Sequence, residues 1–341
     1  MTKYLKPSHE VIPSIPHQPS AIEKENKQVY GRLILLLISL VIAMILFMTV
    51  KANGRWDFIL PFRGGKLLAL ITVAYAVSVS TILFQTITNN RILTPYIMGF
   101  DTMYLLVQTI LVFVLGAVAY SSLATGIKFF VEVGVMMLAS MLLFSLLFTK
   151  AHEDLYRMIL TGVILGVLFR SLTSFIQRII DPEEFSVVQS VSFAQFNVIK
   201  TDLLVFSVPI IVVVSLIIWH YRHQLDVLSL GRDQAINLGL DYKKCVVFFL
   251  FLIALLVSVS TALVGPVTFF GLLVSGMTYE YIKTYRHSLL IPAAFLIASI
   301  ALVLGQVVFE HVLGLQGVLS VVIEFLGGIV FIFFLLRRKA L

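Results

Sequence analysis

Long apolar segments, separated by short polar stretches, make up most of the chain. The hydrocarbon core of a bilayer is about 30 Å thick, so a helix needs roughly 20 apolar residues to cross it. Ten segments of about this length are divided from one another by charged residues, Gly or Pro. They are residues 31–50, 67–88, 97–119, 129–148, 156–179, 203–219, 245–263, 267–282, 289–309 and 319–336. The pattern predicts ten transmembrane helices, and an even number places both ends of the chain on one side of the membrane.

The composition supports the same fold class. Of 341 residues, 59% are apolar and 13% are charged, whereas about 25% charged residues are usual in a soluble domain. The chain is therefore predicted to be an all-α, polytopic membrane protein. Its net charge of +7 does not indicate a nucleic-acid partner, because the excess Lys and Arg lie in short loops. The single cysteine, Cys245, excludes a disulfide framework and a multi-cysteine metal site.

The distribution of positive charge predicts the orientation in the membrane. With the N terminus inside, 17 of the 25 Lys and Arg residues fall on the inner side, seven fall in outer loops, and Arg170 lies within a span. Both termini are therefore predicted to be cytoplasmic. Residues 1–30 are polar and rich in Pro, which predicts a mobile cytoplasmic tail, and residues 31–341 form one transmembrane domain.

The longest polar interruption between spans is residues 226–244, here termed the polar segment. Gly231 and Gly239 bracket a run of about two helical turns, and Asp233 lies near its N terminus, where a negative charge is favourable. This arrangement predicts a short helix at the cytoplasmic membrane surface that a soluble partner could bind. The alternative is an ordinary solvated loop.

The spacing within the polar segment resembles a known family. Its pattern L-G-x-x-x-A-x-x-L-G resembles the cytoplasmic coupling segment of ABC importer permeases for iron-siderophores and vitamin B12. The residues concerned are Leu230, Gly231, Ala235, Leu238 and Gly239. Three further stretches resemble motifs of that family in the same order. They comprise Arg63, Gln85, Asn90, Pro95 and Gly99, the run 264–276, and the run 327–331.

Several positions depart from the family pattern. They are Gly65 in place of Pro, Lys66 in place of Arg, Arg91 in place of Pro, and Ser275-Gly276 in place of Pro-His. These departures indicate a divergent branch. By analogy it is the branch whose permeases work as unlike pairs on catecholate-type siderophores.

The resemblance implies a complete transport assembly in the plasma membrane of a bacterium. Two permease chains of about ten spans each would enclose one pathway, and the second chain would be either an unlike sibling or another copy. An ATPase dimer would bind the cytoplasmic face and an extracytoplasmic siderophore-binding protein the outer face. This chain would bind no cofactor itself, since ATP and magnesium would be held by the ATPase. The substrate would be a ferric siderophore.

The resemblance also implies roles for several charged residues. Arg63 and Lys66 would dock acidic residues of the binding protein, and Arg55 is expected to join them because it lies in the same basic outer loop. The alternative is that these basic side chains near a membrane surface only fix helix depth. Pathway or gate candidates on the fifth span are Asp154, Tyr156, Arg157 and Arg170. Arg170 would face the cavity and attract an anionic ferric complex. The alternative is a structural pair with Glu132 or Glu324 inside the helix packing.

Other functions remain open at this point. A proton-coupled secondary transporter would use intramembrane acids as relays, and the candidates are Asp101, Glu132 and Glu324. A permease for another chelate, such as haem or cobalamin, would share the same architecture. No motif of a common enzyme class occurs, so the chain is not predicted to be an enzyme. The histidines, His287 among them, lie near span ends or in the tail, which favours solvated or interfacial positions over metal ligation.

Overall fold

The computed structural model describes residues 21–51, 56–150, 155–196 and 201–311, together with Val322, Ile323, Phe325, Ile329 and Ile332. Thirteen α-helices lie within these residues. They are α1 (Ala21–Thr49), α2 (Trp56–Ile87), α3 (Asp101–Leu115), α4 (Ala117–Ser122), α5 (Thr125–Lys150), α6 (Leu155–Gln177), α7 (Pro182–Val191), α8 (Leu204–His220), α9 (Arg222–Leu228), α10 (Arg232–Asn237), α11 (Tyr242–Val264), α12 (Phe270–Ile282) and α13 (His287–His311).

Eight helical stretches in the described part of the chain are long and apolar enough to cross a membrane. They correspond to α1, α2, the stretch Tyr96–Leu115, α5, α6, α8, α11 and α13. The chain is thus a multi-pass membrane protein, as predicted. The predicted tenth span, residues 319–336, falls largely outside the described residues.

The predicted eighth span is a shorter element than the sequence indicated. It forms α12, which has 13 residues and so reaches only about 20 Å at 1.5 Å per residue. Gly265 and Pro266 separate it from α11, with Gly265 at φ 99°. The Gly265-Pro266 turn therefore divides the continuous apolar run into two helices, and the second of them, α12, is short.

The predicted third span is not one continuous helix. A π-helical turn, Tyr96–Phe100, precedes α3, and Gly99 within it has a φ of 105°. Gly116, at φ 78°, separates α3 from α4. A Cβ at Gly162 of α6 would lie 2.6 Å from the Met98 Cε in this turn, so glycine at that position lets α6 approach the turn closely.

Helices α2 and α11 form the centre of the bundle, whereas α1 and α6 lie at its surface. Helix α1 begins at Ala21, inside the region predicted as a tail. Helices α7 and α9 lie in stretches that the apolar pattern left without structure. The end of the bundle that carries residues 226–244 is termed the polar-segment end. The opposite end carries the C terminus of α1 and the N terminus of α2.

Candidate functional site

The polar segment folds into two short helices, α9 and α10, that precede the long helix α11. Gly231, at φ 94°, begins α10, and Gly239, at φ 83°, follows it. The Leu240 amide donates to the Ala235 carbonyl at 3.0 Å, which closes the C-terminal turn. Asp241 then caps α11 by accepting a hydrogen bond from the Lys244 amide at 3.3 Å. The short helix predicted from the two glycines is confirmed.

Three apolar side chains of this segment are exposed among charged and polar ones. Leu230, Ile236 and Leu238 expose 53%, 48% and 64% of their area, whereas Ala235 is fully buried. Ala235 therefore packs within the segment, and the coupling role of the motif residues stays a prediction. Exposed apolar side chains in a group at the edge of a protein are typical of a protein interface.

The segment is anchored to the bundle chiefly through α9. Leu225 and Leu228 of α9 are buried, and α9 contacts both α2 and α13 as well as α10. The loop after α2 also comes close, because a Cβ at Gly231 would lie 3.7 Å from the Asn89 side-chain nitrogen. Through α9, the exposed apolar side chains in and beside α10 are thus linked to the transmembrane helices α2 and α13.

A polar cluster of the half-buried Asp226 with the buried His287 and Thr86 lies where α9 meets these helices. The Asp226 carboxylate oxygen Oδ1 lies 2.8 Å from both the backbone nitrogen and the ring Nδ1 of His287. The His287 Nε2 lies 2.8 Å from the Thr86 hydroxyl oxygen. Burial tends to raise the pKa of Asp226, but the hydrogen bonds from His287 outweigh it, so that this pKa is lowered.

His287 is 1% exposed, so a solvated position for it was wrong, although it lies near the end of a span, at the first residue of α13, as predicted. The position of His287 near a span end does not indicate that it is buried, because its partner Asp226 lies 61 residues away along the chain. One feature of the sequence could have indicated a paired acid here: Asp226 is the first residue of the polar segment and follows an apolar run.

Two residues of the recognised motif hold the loop that follows α2. The Gln85 side-chain nitrogen donates to the Arg91 carbonyl at 2.7 Å and to the Ser275 hydroxyl at 2.9 Å. The Asn90 side-chain oxygen accepts from the Ile92 amide at 2.9 Å. Ser275, which replaces the proline of the family pattern, therefore provides a partner for Gln85 and links α2 to α12.

The predicted docking residues at the opposite end make internal contacts. The Arg63 guanidinium donates to the carbonyls of Phe47 and Val50 at 2.8 and 2.9 Å, at the C terminus of α1. The Lys66 ammonium lies 2.5 Å from the Glu310 carboxylate, and both side chains are largely buried. These contacts give Arg63 and Lys66 structural roles. Their docking role stays a prediction, and Arg55 lies outside the described residues.

The intramembrane charges form two groups. Arg170, exposed on α6, interacts electrostatically with Asp101. Glu132 accepts a hydrogen bond from the Tyr120 hydroxyl at 2.9 Å, and its carboxylate lies 3.9 Å from the Lys128 ammonium. The alternative that pairs Arg170 with Glu132 or Glu324 stays a prediction, and Asp101 is a further acid near Arg170 that the sequence did not indicate. Glu324 and Asp154 lie outside the described residues, as do the side chains of Tyr156 and Arg157 in α6.

Lys128 and Glu132 line a cavity of about 270 Å³ at the opposite end of the bundle. Its wall includes Ser190 and Gln195, and α11 ends beside it at Gly265. The buried carboxylate of Glu132 is stabilised by Tyr120 and Lys128. This environment explains a charge in the span without a proton relay.

A profile of the FecCD transport family matches residues 29–337. The petrobactin import system permease protein YclO of Bacillus subtilis (strain 168) is 45% identical over 306 residues, which is 90% of this chain and 97% of that protein. A second petrobactin import system permease protein of the same organism, YclN, is 24% identical over 289 residues, covering 81% of this chain and 84% of that protein.

A solved structure of a metal-chelate type ABC transporter, in an inward-facing conformation, has the same fold. It superposes with a TM-score of 0.75 at 21% identity and covers 92% of this chain and 99% of that chain. At this identity the likeness establishes the fold and not the substrate.

Proposed function

Because the chain belongs to the FecCD transport family, we propose that it is the membrane-spanning permease subunit of an ATP-driven ABC importer for an iron-siderophore complex. The observation that carries this proposal is the 45% identity to a petrobactin import permease over nearly the full length of both chains. Petrobactin is accordingly the first siderophore to test. The chain is a transport subunit, and hydrolysis of ATP belongs to a partner.

The partners follow from the architecture of such importers. An ATPase dimer, which holds ATP and magnesium, binds the polar-segment end through Leu230, Ile236 and Leu238. An extracytoplasmic siderophore-binding protein binds the opposite end. Both termini then lie in the cytoplasm, in agreement with the bias of Lys and Arg toward that side. The second permease subunit is an unlike sibling, since one Bacillus species has two different petrobactin permeases related to this chain.

The contact with the ATPase can be tested by exchanging exposed apolar side chains for acids. The full importer is purified through a tag on this chain, and the amount of co-purifying ATPase is measured. We expect the double variant Ile236→Asp/Leu238→Asp to recover about tenfold less ATPase, because central apolar contacts dominate the free energy of such interfaces. Phe193→Asp is the matched control, since Phe193 is an exposed apolar residue at the opposite end.

Membrane insertion of both variants is checked by the amount of chain in the membrane fraction. Equal recovery of the ATPase with the double variant and the control would contradict the assignment of α10 as the coupling surface. Iron uptake supported by the wild-type chain without any ATPase would favour the secondary-transporter alternative instead.

A further inference from the structure

Helix α9 lies between the surface that faces the ATPase and the transmembrane helices. It contacts α10 as well as α2 and α13. A displacement of α10 is therefore transmitted to α2 and α13 through α9, in addition to its direct contact with α11. Apolar contacts such as those of Leu225 and Leu228 are not directional, whereas hydrogen bonds fix both distance and angle. The polar cluster of Asp226, His287 and Thr86 is thus the directional part of this junction.

The His287 ring links the other two members of this cluster. Its Nδ1 donates to the Asp226 carboxylate at 2.8 Å, since an ionised carboxylate can only accept. Its Nε2 shares a hydrogen bond with the Thr86 hydroxyl at 2.8 Å. The bond to the ionised carboxylate is charge-assisted, and such bonds are stronger than neutral ones.

The cluster joins three helices at one point. Asp226 belongs to α9, Thr86 to α2, and His287 is the first residue of α13, whose backbone nitrogen Asp226 also caps. At the opposite end of the bundle α2 and α13 are joined again by Lys66 and Glu310. Helices α2 and α13 are therefore held together at both ends, so that a force applied at Asp226 moves them as one body.

We propose that Asp226, acting through His287 and Thr86, is a positioning residue that transmits movement of the ATPase-bound segment to the α2–α13 pair and so couples ATP hydrolysis to transport. This inference rests on the proposed importer function. It assigns no contact with substrate to any of the three residues. Their role is to make the two helices follow the polar segment.

The test is the number of ATP molecules hydrolysed per iron atom taken up. The purified importer is placed in proteoliposomes, and petrobactin loaded with radioactive iron is supplied with its binding protein. Only the hydrolysis that the loaded binding protein stimulates is counted, so that loss of folded importer lowers hydrolysis and uptake together and leaves the ratio unchanged. For Asp226→Asn we expect a rise of about fivefold or more, the range of typical coupling between two sites, with the ATPase still bound.

Asp241→Asn is the matched control. Asp241 belongs to the same segment and also caps a helix, but its hydrogen bonds to Lys244 stay within that segment. We expect this variant to keep the wild-type ratio. If Asp226→Asn does not accumulate in membranes, Thr86→Val replaces it, since that change removes the link to α2 and keeps the contact between Asp226 and His287.

The outcomes separate this inference from the proposed function. An unchanged ratio in Asp226→Asn, or in Thr86→Val where that variant replaces it, overturns the inference and leaves the importer assignment intact. An equal rise in Asp241→Asn also overturns it, because any lost helix cap would then suffice. A wild-type chain that recovers no ATPase and supports no iron uptake overturns the proposed function and the inference with it.

Discussion

Lys66 forms an ion pair with Glu310 that stabilises the fold. Their charged atoms lie 2.5 Å apart, and the two side chains are 10% and 15% exposed. The Gln306 side chain donates to the same Glu310 oxygen at 2.8 Å. Removal of one member of a buried pair leaves the other charge without its counter-ion, which costs far more than removal of both.

We expect Lys66→Met to destabilise the protein by about 3–5 kcal/mol, the usual range when a buried pair loses one member. The double variant Lys66→Met/Glu310→Gln should recover much of this loss. The measurement is the thermal unfolding temperature of the purified chain in detergent for the wild type, both single variants and the double variant. If Lys66→Met unfolds at the wild-type temperature, Lys66 does not depend on Glu310 and is available for docking.

At this scale the sequence predicted the positions of charge but not their partners. Arg63 and Lys66 were recognisable as an excess of basic residues at one membrane surface. Their contacts with α1 and α13 depend on which helices are neighbours, which the apolar pattern does not specify. The same reason explains why Asp101 was missed as the neighbour of Arg170.

Among the elements, the junction between α11 and α12 depends most on one backbone conformation. Gly265 has a φ of 99° and a ψ of −179°, a region that is essentially restricted to glycine. The neighbouring Val264 carbonyl accepts a hydrogen bond from the Gln195 amide at 2.7 Å. A Cβ at Gly265 would lie 3.0 Å from the Cα of Ala194, which is a backbone atom and cannot move aside cheaply.

We therefore expect Gly265→Ala to cost more than about 3 kcal/mol, since strain of this size adds to the clash. Gly239→Ala is the matched control, because Gly239 also has a positive φ, of 83°, but has open space around its Cα. Its cost should stay near 1–2 kcal/mol, about that of one residue in a left-handed conformation. The thermal unfolding temperatures of the two variants check this order, and a smaller loss for Gly265→Ala would contradict it.

Elements were predictable where the signal is local. The glycines around α10 and the apolar runs depend on a few neighbouring residues, and the short helix and eight of the ten predicted spans were confirmed. The π-helical turn before α3 was not predictable in this way, because it accommodates the close approach of α6 at Gly162 and Gly166. The helices α7 and α9 have too few apolar residues to be recognised by a search for membrane spans.

For the whole molecule, the exposed face of α6 is the main feature that the isolated chain does not explain. Val163, Val167 and Arg170 follow one another at i, i+4 and i+7, so they share a face, and all three are exposed. A charged side chain directed at lipid costs about 2.5–3.5 kcal/mol or more. We therefore expect this face to lie against the second permease subunit or a water-filled pathway, as in a pair of chains that enclose one route.

The role of Arg170 in that route can be separated from a role in stability. If Arg170 attracts an anionic ferric siderophore, Arg170→Gln should lower iron uptake about tenfold, which corresponds to one lost charge-assisted contact, while the unfolding temperature stays near that of the wild type. Asp101→Asn is the companion variant, because it removes the neighbouring acid and leaves the positive charge in place. It should keep most of the uptake. A strongly destabilised Arg170→Gln that the additional change Asp101→Asn rescues would instead assign Arg170 to an internal ion pair and remove it from the pathway.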